Sequence, residues 1–163
     1  VFPLIMHNAV WFGPSISSGD RKFNVPIDYP LKAAGCGIDN DGKRYIRVKG
    51  VRWFTNLDHK KRHEELDLVC RYSSEEYPAY DNYDAIEVSK TSEIPYDYDG
   101  LMGVPITFLD KYNPDQFEII GITSNDISLK RYWTNGFEKY DRPYINGERK
   151  YSRLLIRNKH PRV

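Results

Sequence analysis

A chain of 163 residues with 40% hydrophobic and 14% aromatic side chains has the size and apolar content of one packed domain. No apolar run reaches the length of a membrane span and neither end carries a signal or lipidation pattern, so the chain reads as soluble and cytoplasmic. Cys36 and Cys70 are too few for a disulfide framework and lack metal-ligand spacing.

The formal net charge of +1 conceals an uneven distribution. Residues 43–63 carry eight Lys/Arg against Asp58 alone, a balance of +7. Residues 71–100 carry eight Asp/Glu against Arg71 and Lys90, a balance of −6. From 128 to the end, ten Lys/Arg face Glu138, Asp141 and Glu148, again +7. Two basic blocks separated by an acidic one can fold into a positive groove suited to phosphate. Mixed charges that merely solvate a surface are the other reading.

In chain order, Val1-Phe2-Pro3-Leu4-Ile5-Met6 is apolar from its first residue, without a polar leader or helix cap, as in a cut inside a larger fold. Residues 10–30, broken by Gly13-Pro14, Ser17-Ser18-Gly19 and Asp28-Tyr29-Pro30, read as loop around one short strand. Asp39-Asn40-Asp41-Gly42 closes a hairpin. Ile46 and Val48 then alternate with Arg47 and Lys49, and Val51 and Trp53 continue one position out of phase, which a bulge at Gly50 explains. Lys60-Lys61-Arg62-His63 is a loop or a turn of helix, and Ala85-Ile86-Glu87-Val88 a short strand. Asn113-Pro114-Asp115-Gln116 predicts a brief helix with Asn as cap and Gln reaching back, followed by a strand from Phe117. Asn146-Gly147 predicts a two-residue turn with residues 151–157 as the returning strand. Along that strand Arg153, Arg157 and Lys159 share a face with Tyr151 and Leu155, opposite Leu154 and Ile156, so that one face packs while the other meets phosphate.

Several stretches stand together in order: Trp53-Phe54-Thr55-Asn56-Leu57, Tyr80-Asp81-Asn82-Tyr83-Asp84-Ala85-Ile86-Glu87-Val88, and Ile94-Pro95-Tyr96-Asp97-Tyr98-Asp99-Gly100. They precede the block Met102-Gly103-Val104-Pro105-Ile106-Thr107-Phe108, which continues through Asn113-Pro114-Asp115-Gln116-Phe117 to Gly121. Tyr144-Ile145-Asn146-Gly147 and Arg153-Leu154-Leu155-Ile156-Arg157 close the series. Over nearly its whole length the chain resembles the C-terminal half of the EcoRI-type adenine-specific DNA methyltransferases.

The resemblance implies a strand-rich α/β fold: the C-terminal part of a class I S-adenosylmethionine-dependent methyltransferase fold with a DNA target-recognition region. Residues 1–70 would hold the last strands of the catalytic fold and 71–163 the recognition region. The intact enzyme, part of a restriction-modification system, would use S-adenosylmethionine to methylate the exocyclic amine of adenine in double-stranded DNA. The cofactor loop and an Asp-Pro-Pro-Phe-like tetrapeptide belong to the N-terminal catalytic half of the same polypeptide, the expected partner of this chain. Neither occurs here: no two prolines are adjacent, so no catalytic residue is assigned and the fragment alone is expected to be inactive.

An enzyme that modifies a base must extract it and hold it against an aromatic surface. Trp53 or Phe54 can stack on a displaced adenine and Asn56 can bond its edge; alternatively Trp53 and Phe54 are core residues closing a strand. His59 and His63 are four apart, but Lys60 stands where a zinc-protease motif needs Glu, and three consecutive cations repel a metal ion. Lys60, Lys61 and Arg62 are instead phosphate contacts or a solvated loop. Asn125, Lys130 and Arg131 combine amide and cationic chemistry suited to bases and phosphates, and Lys150, Arg153 and Arg157 add a basic hairpin. Asp81, Asp84, Asp97 and Asp99 fit no calcium loop and point to structural or subdomain contacts. Two rival readings are a stand-alone DNA-binding module without enzymatic activity and a protein-interaction domain.

Overall fold

The computed structural model describes residues 1–15, 21–32, 34–48, 52–124, 127–134 and 142–162. The chain forms two compact units, Trp11–Thr55 and, around it in sequence, Val1–Val10 with Asn56–Val163. The boundary between these units at Thr55 lies within the segment 1–70. Residues 56–70 are bonded into the same unit as the chain's second half, for example through the Gln116 side chain, which accepts from Leu66 N and donates to Leu66 O, both at 2.7 Å.

The chain starts with a single turn of helix, α1 (Phe2–Met6), whose Pro3 lies in the first turn, where a missing N–H costs nothing. Ile5 is its buried residue, while Val1 and Leu4 are exposed.

In the small unit, β1 (Trp11–Ser15) pairs antiparallel with β5 (Arg52–Thr55). The register shifts between Phe12 and Ser15, a stretch that contains Gly13-Pro14, where proline supplies no ladder donor. Strands β2 (Arg21–Asn24), β3 (Gly37–Ile38) and β4 (Arg44–Val48) form an antiparallel sheet in the order β2-β4-β3. Residues 10–30 thus contribute two strands, not one; their partners lie some twenty to forty positions away, beyond the reach of local pattern. The Asp39 turn forms as expected: its carboxylate accepts from Asp41 N at 3.0 Å and Lys43 N at 2.7 Å, and Gly42 adopts φ 75°. The bulge expected at Gly50 lies outside the described residues.

The large unit is built on a four-stranded mixed sheet of β6 (Ile86–Glu87), β7 (Leu101–Val104), β8 (Phe117–Ile122) and β11 (Leu154–Asn158), in the order β6-β7-β11-β8. Only β6 and β7 run parallel. A separate hairpin joins β9 (Tyr144–Ile145) to β10 (Glu148–Arg149). The fold is strand-rich α/β with a mixed sheet; its other helical pieces among the described residues are short 3-10 turns, including Ile106–Lys111 and Ile127–Tyr132. None of the described helices is long and apolar enough to cross a membrane.

The two sequence signals around β8 and β11 resolve differently from expectation. Asn113 caps a turn and not a helix: its side chain accepts from Asp115 N at 2.9 Å, its carbonyl accepts from Phe117 N at 3.0 Å, and β8 follows at once. Gln116 cannot reach back because its amide is committed to Leu66. The Asn146-Gly147 turn forms with φ 51° and 76°, the left-handed pair that a two-residue hairpin needs. Its returning strand, however, is only Glu148–Arg149, and β11 goes on to lie between β7 and β8. Leu154, Leu155 and Ile156 are all buried, so both faces of β11 are covered and the expected split into a packed and a phosphate-facing side does not arise.

The core gathers on this sheet. Leu155 packs with Tyr80, Tyr83, Ala85, Leu101 and Leu129, and Phe108 meets Phe117 edge-on with ring centroids 5.3 Å apart. Tyr80 crosses the backbone of β7 so closely that a Cβ at Gly103 would lie 2.7 Å from two of its ring carbons. Gly103→Ala should therefore destabilise the chain by about 1–3 kcal/mol through overpacking, read as a lowered denaturation midpoint with unchanged slope.

Candidate nucleic-acid interface

Glu87 lies on β6 with its side chain only 8% exposed, so its charge must be matched inside the protein. Arg153 does this with a two-pronged contact, Nη2 to Oε1 at 2.7 Å and Nε to the same oxygen at 3.0 Å. Tyr80 donates its hydroxyl to the other carboxylate oxygen. The backbone of Arg153 is fixed in turn: its N–H donates to Thr123 Oγ1 at 2.7 Å, and its carbonyl accepts from Thr123 N at 2.9 Å. Burial, reinforced by the Glu87 charge, pushes the Tyr80 phenol far above its usual range. Burial opposes the charge of Arg153, but its hydrogen bonds and attraction to Glu87 outweigh that and raise its pKa. Beside this pair opens a cleft of about 330 Å³ whose lining includes Pro105, Ile106, Arg142 and Tyr151.

The segment preceding β6 serves as a dock. Asp81 accepts from Asn146 N at 3.2 Å and Gly147 N at 2.7 Å, which holds the hairpin turn. Asn82 accepts from Tyr144 N at 2.9 Å and donates to Arg142 O at 3.0 Å. Its carbonyl accepts from Thr134 N, and Asp84 N donates to Tyr132 O at 2.8 Å. Asp97 accepts from Tyr72 N at 2.7 Å and lies 3.4 Å from Arg71. The carboxylates of Asp81, Glu87 and Asp97 are therefore committed to internal contacts, while Glu75, Glu76, Asp84 and Asp99 are exposed.

Of the base-pocket residues, Phe54 is 44% exposed on β5, so it is a surface aromatic and not a core residue. The side chain of Trp53 lies outside the described residues. Asn56 is exposed just after β5, and the unit boundary falls between it and Phe54. Lys60 and Lys61 are exposed on a 3-10 turn, Lys60–His63, but Arg62 is largely buried and reaches Asp58 at 3.4 Å.

His63 fastens this turn. Its Nε2 meets Asp58 Oδ1 at 2.7 Å and its Nδ1 meets Asp115 Oδ2 at 3.2 Å, so both ring nitrogens face carboxylates and the doubly protonated ring suits the site. Hydrogen bonds donated to Asp58 and then to Asp115 lift the imidazole above 6.5, while the bond accepted from His63 lowers Asp58.

Lys130 and Arg131 are exposed, with Arg131 stacked 4.8 Å over Tyr132, and Asn125 lies outside the described residues. In the basic hairpin, Lys150 pairs with Glu148, and Arg157 faces Glu118 across the strand at 3.9 Å. Arg153, expected on a phosphate-facing strand, is instead the buried partner of Glu87. The pattern of alternation could not show this, because that partner lies 66 positions away. Glu87, Tyr80 and Asn82 were legible only as parts of a strand or a Tyr/Asp-rich stretch.

The family model for the adenine-specific methyltransferase EcoRI matches residues 1–159. The chain is 44% identical over 165 residues to the type II methyltransferase M.EcoRI of Escherichia coli, covering 98% of this chain and 46% of that protein. It is 39% identical to the type II methyltransferase M.MgeORF184P of Mycoplasma genitalium, covering 96% and 52% respectively. It is 36% identical to the type II methyltransferase M.MpnI of Mycoplasma pneumoniae, covering 98% and 52%. The chain thus spans about half the length of the curated relatives it matches. No solved structure matches it.

Two outcomes follow from the charges. Arg153→Ala leaves Glu87 buried without its cation and should cost about 3–5 kcal/mol in denaturant unfolding. Arg157→Ala removes a surface pair and should cost less than about 1 kcal/mol. The bonds of His63 to Asp58 and Asp115 are complete below the free-imidazole value and fade as pH rises through its higher folded value. On the acid side they fade as pH falls through the lowered value of Asp58. An NMR titration should place His63 above 6.5, and Asp115→Asn should move it back towards that value.

Proposed function

Since the chain belongs to the EcoRI adenine-specific methyltransferase family, we propose that it is the DNA-binding and target-recognition part, C-terminal in position, of a site-specific adenine N6-methyltransferase. One observation carries this reading: nearly the whole chain aligns with only about half of each type II methyltransferase it matches. The remaining half would supply the chemistry. S-adenosylmethionine donates the methyl group in such a reaction, and its binding in this class of fold uses a glycine-rich turn from a strand into a helix. Among the described residues the one α-helix is a five-residue turn that precedes every strand, which supports placing that turn outside this chain. The cofactor and the catalytic tetrapeptide are accordingly assigned to the N-terminal half of the same polypeptide, and no catalytic step is routed through this chain.

Within the chain, Lys60 and Lys61 on one exposed turn and Lys130 and Arg131 on another are the cations assigned to DNA. Arg153 is assigned to the fold. Phosphate contacts hold the duplex in register, while an arginine or amide that reaches a base edge provides selectivity.

The test is a titration of the isolated chain with duplex DNA over a range of salt concentrations. Binding should be weak, with log K falling against log salt at a slope steeper than about −3, since each neutralised phosphate contributes about −0.9. A flat salt response would overturn the reading. Calorimetry with S-adenosylmethionine should show no micromolar binding; a micromolar signal would mean that the cofactor site had been misplaced. In the longer enzyme, Lys60→Ala with Lys61→Ala should weaken cognate and non-cognate DNA about equally, whereas Arg131→Ala should erode the preference between them.

A further inference from the structure

The three-stranded sheet of the small unit carries a surface that none of the residues assigned above includes. In its register Lys22 stands directly opposite Arg47, and Asn24 and Gly37 both stand opposite Tyr45. Alternation therefore places Lys22, Asn24, Tyr45 and Arg47 on one face, and Phe23, Ile38, Arg44, Ile46 and Val48 on the other. Lys22 and Arg47 are exposed, and no acidic residue occurs on any of the three strands. Two exposed cations side by side on one face attract a phosphate more strongly than either does alone. The Lys22 ammonium lies 4.5 Å above the Tyr45 ring, so the aromatic is part of the same charged surface.

Two glycines keep this face low. A Cβ at Gly37 would lie 3.2 Å from the Tyr45 hydroxyl, and one at Gly35 would lie 3.4 Å from the Arg47 Cδ. The tyrosine and arginine side chains thus lie down over bare backbone instead of standing away from it. A shallow surface with two cations, an aromatic ring and an amide has the chemistry of a nucleic-acid backbone seat.

We propose that the Lys22–Asn24–Tyr45–Arg47 face of the small unit is a second DNA-contacting surface, with Lys22 and Arg47 holding phosphates of the duplex. The proposal rests on the DNA-binding reading above and extends it to a part of the chain outside the large unit.

The experiment uses the full chain and a fluorescein-labelled duplex of mixed sequence, with binding followed by anisotropy at several salt concentrations. For Lys22→Gln with Arg47→Gln, the dissociation constant at low salt should rise about fivefold or more. The salt slope should become shallower by about 0.9 for each phosphate that is no longer neutralised. The exchange Lys22→Arg with Arg47→Lys, which keeps both charges, should preserve the slope. A control with the same loss of charge, Arg71→Gln with Lys111→Gln, should bind within about twofold of the parent chain. Without DNA, the double glutamine variant should keep the circular-dichroism spectrum of the parent, so that weaker binding is not a loss of fold. The proposal is overturned if the parent binds and the glutamine variant binds equally well, or if the control weakens binding as much. If the parent itself fails to bind, the DNA-binding reading falls too, and that result is distinct from the others.

Discussion

Glu87 is a carboxylate placed where the sheet has almost no water to offer it, and the large unit is arranged around that fact. A buried charge is tolerable only when a counter-charge and hydrogen bonds replace its hydration. Arg153 and the Tyr80 hydroxyl provide them. Bringing Arg153 into position also places the start of β11, because the Arg153 backbone is held to Thr123 at the end of β8. Tyr80 can reach Glu87 only by crossing β7 at Gly103, where no side chain obstructs it. One ion pair thus ties together β6, β7, β8 and β11. Replacing it with an apolar pair of the same volume need not weaken the fold, whereas removing one partner must.

The same constraint sorts the charges. Three of the acids between 71 and 100 face inward or cap turns: Glu87 in the sheet, Asp81 on the Asn146-Gly147 turn, Asp97 on the backbone of Tyr72, while Glu75, Glu76, Asp84 and Asp99 are exposed. Several cations of the C-terminal block are likewise engaged: Arg153 and Arg157 by carboxylates, Lys159 by Pro114 O and Arg162 by Leu68 O. A net basic count along a segment therefore overstates the charge available to a ligand. The cations assigned to DNA are those on exposed turns and on the small unit's sheet, where Coulomb attraction to phosphate costs little desolvation. The basic block 43–63 is also divided between the two units at Thr55.

Several features were legible in the sequence because they depend on a few adjacent residues. Asn146-Gly147 and Asp39 to Gly42 turn as their residue types require, since left-handed φ and side-chain capping are local properties. The strands at Ile86–Glu87 and Phe117–Ile122, and the family membership carried by the 102–121 block, were equally visible. Tertiary structure alone decided which strand neighbours which. It sent β11 between β7 and β8 and buried both of its faces. It turned Arg153 from a surface cation into the partner of a carboxylate 66 residues away, and drew Gln116 from a helix cap to Leu66. It also set Lys22 against Arg47 across two strands. The physical reason is common to all of these: φ preferences and capping act over two or three residues, whereas desolvation and strand pairing are settled by whichever distant group arrives to replace water.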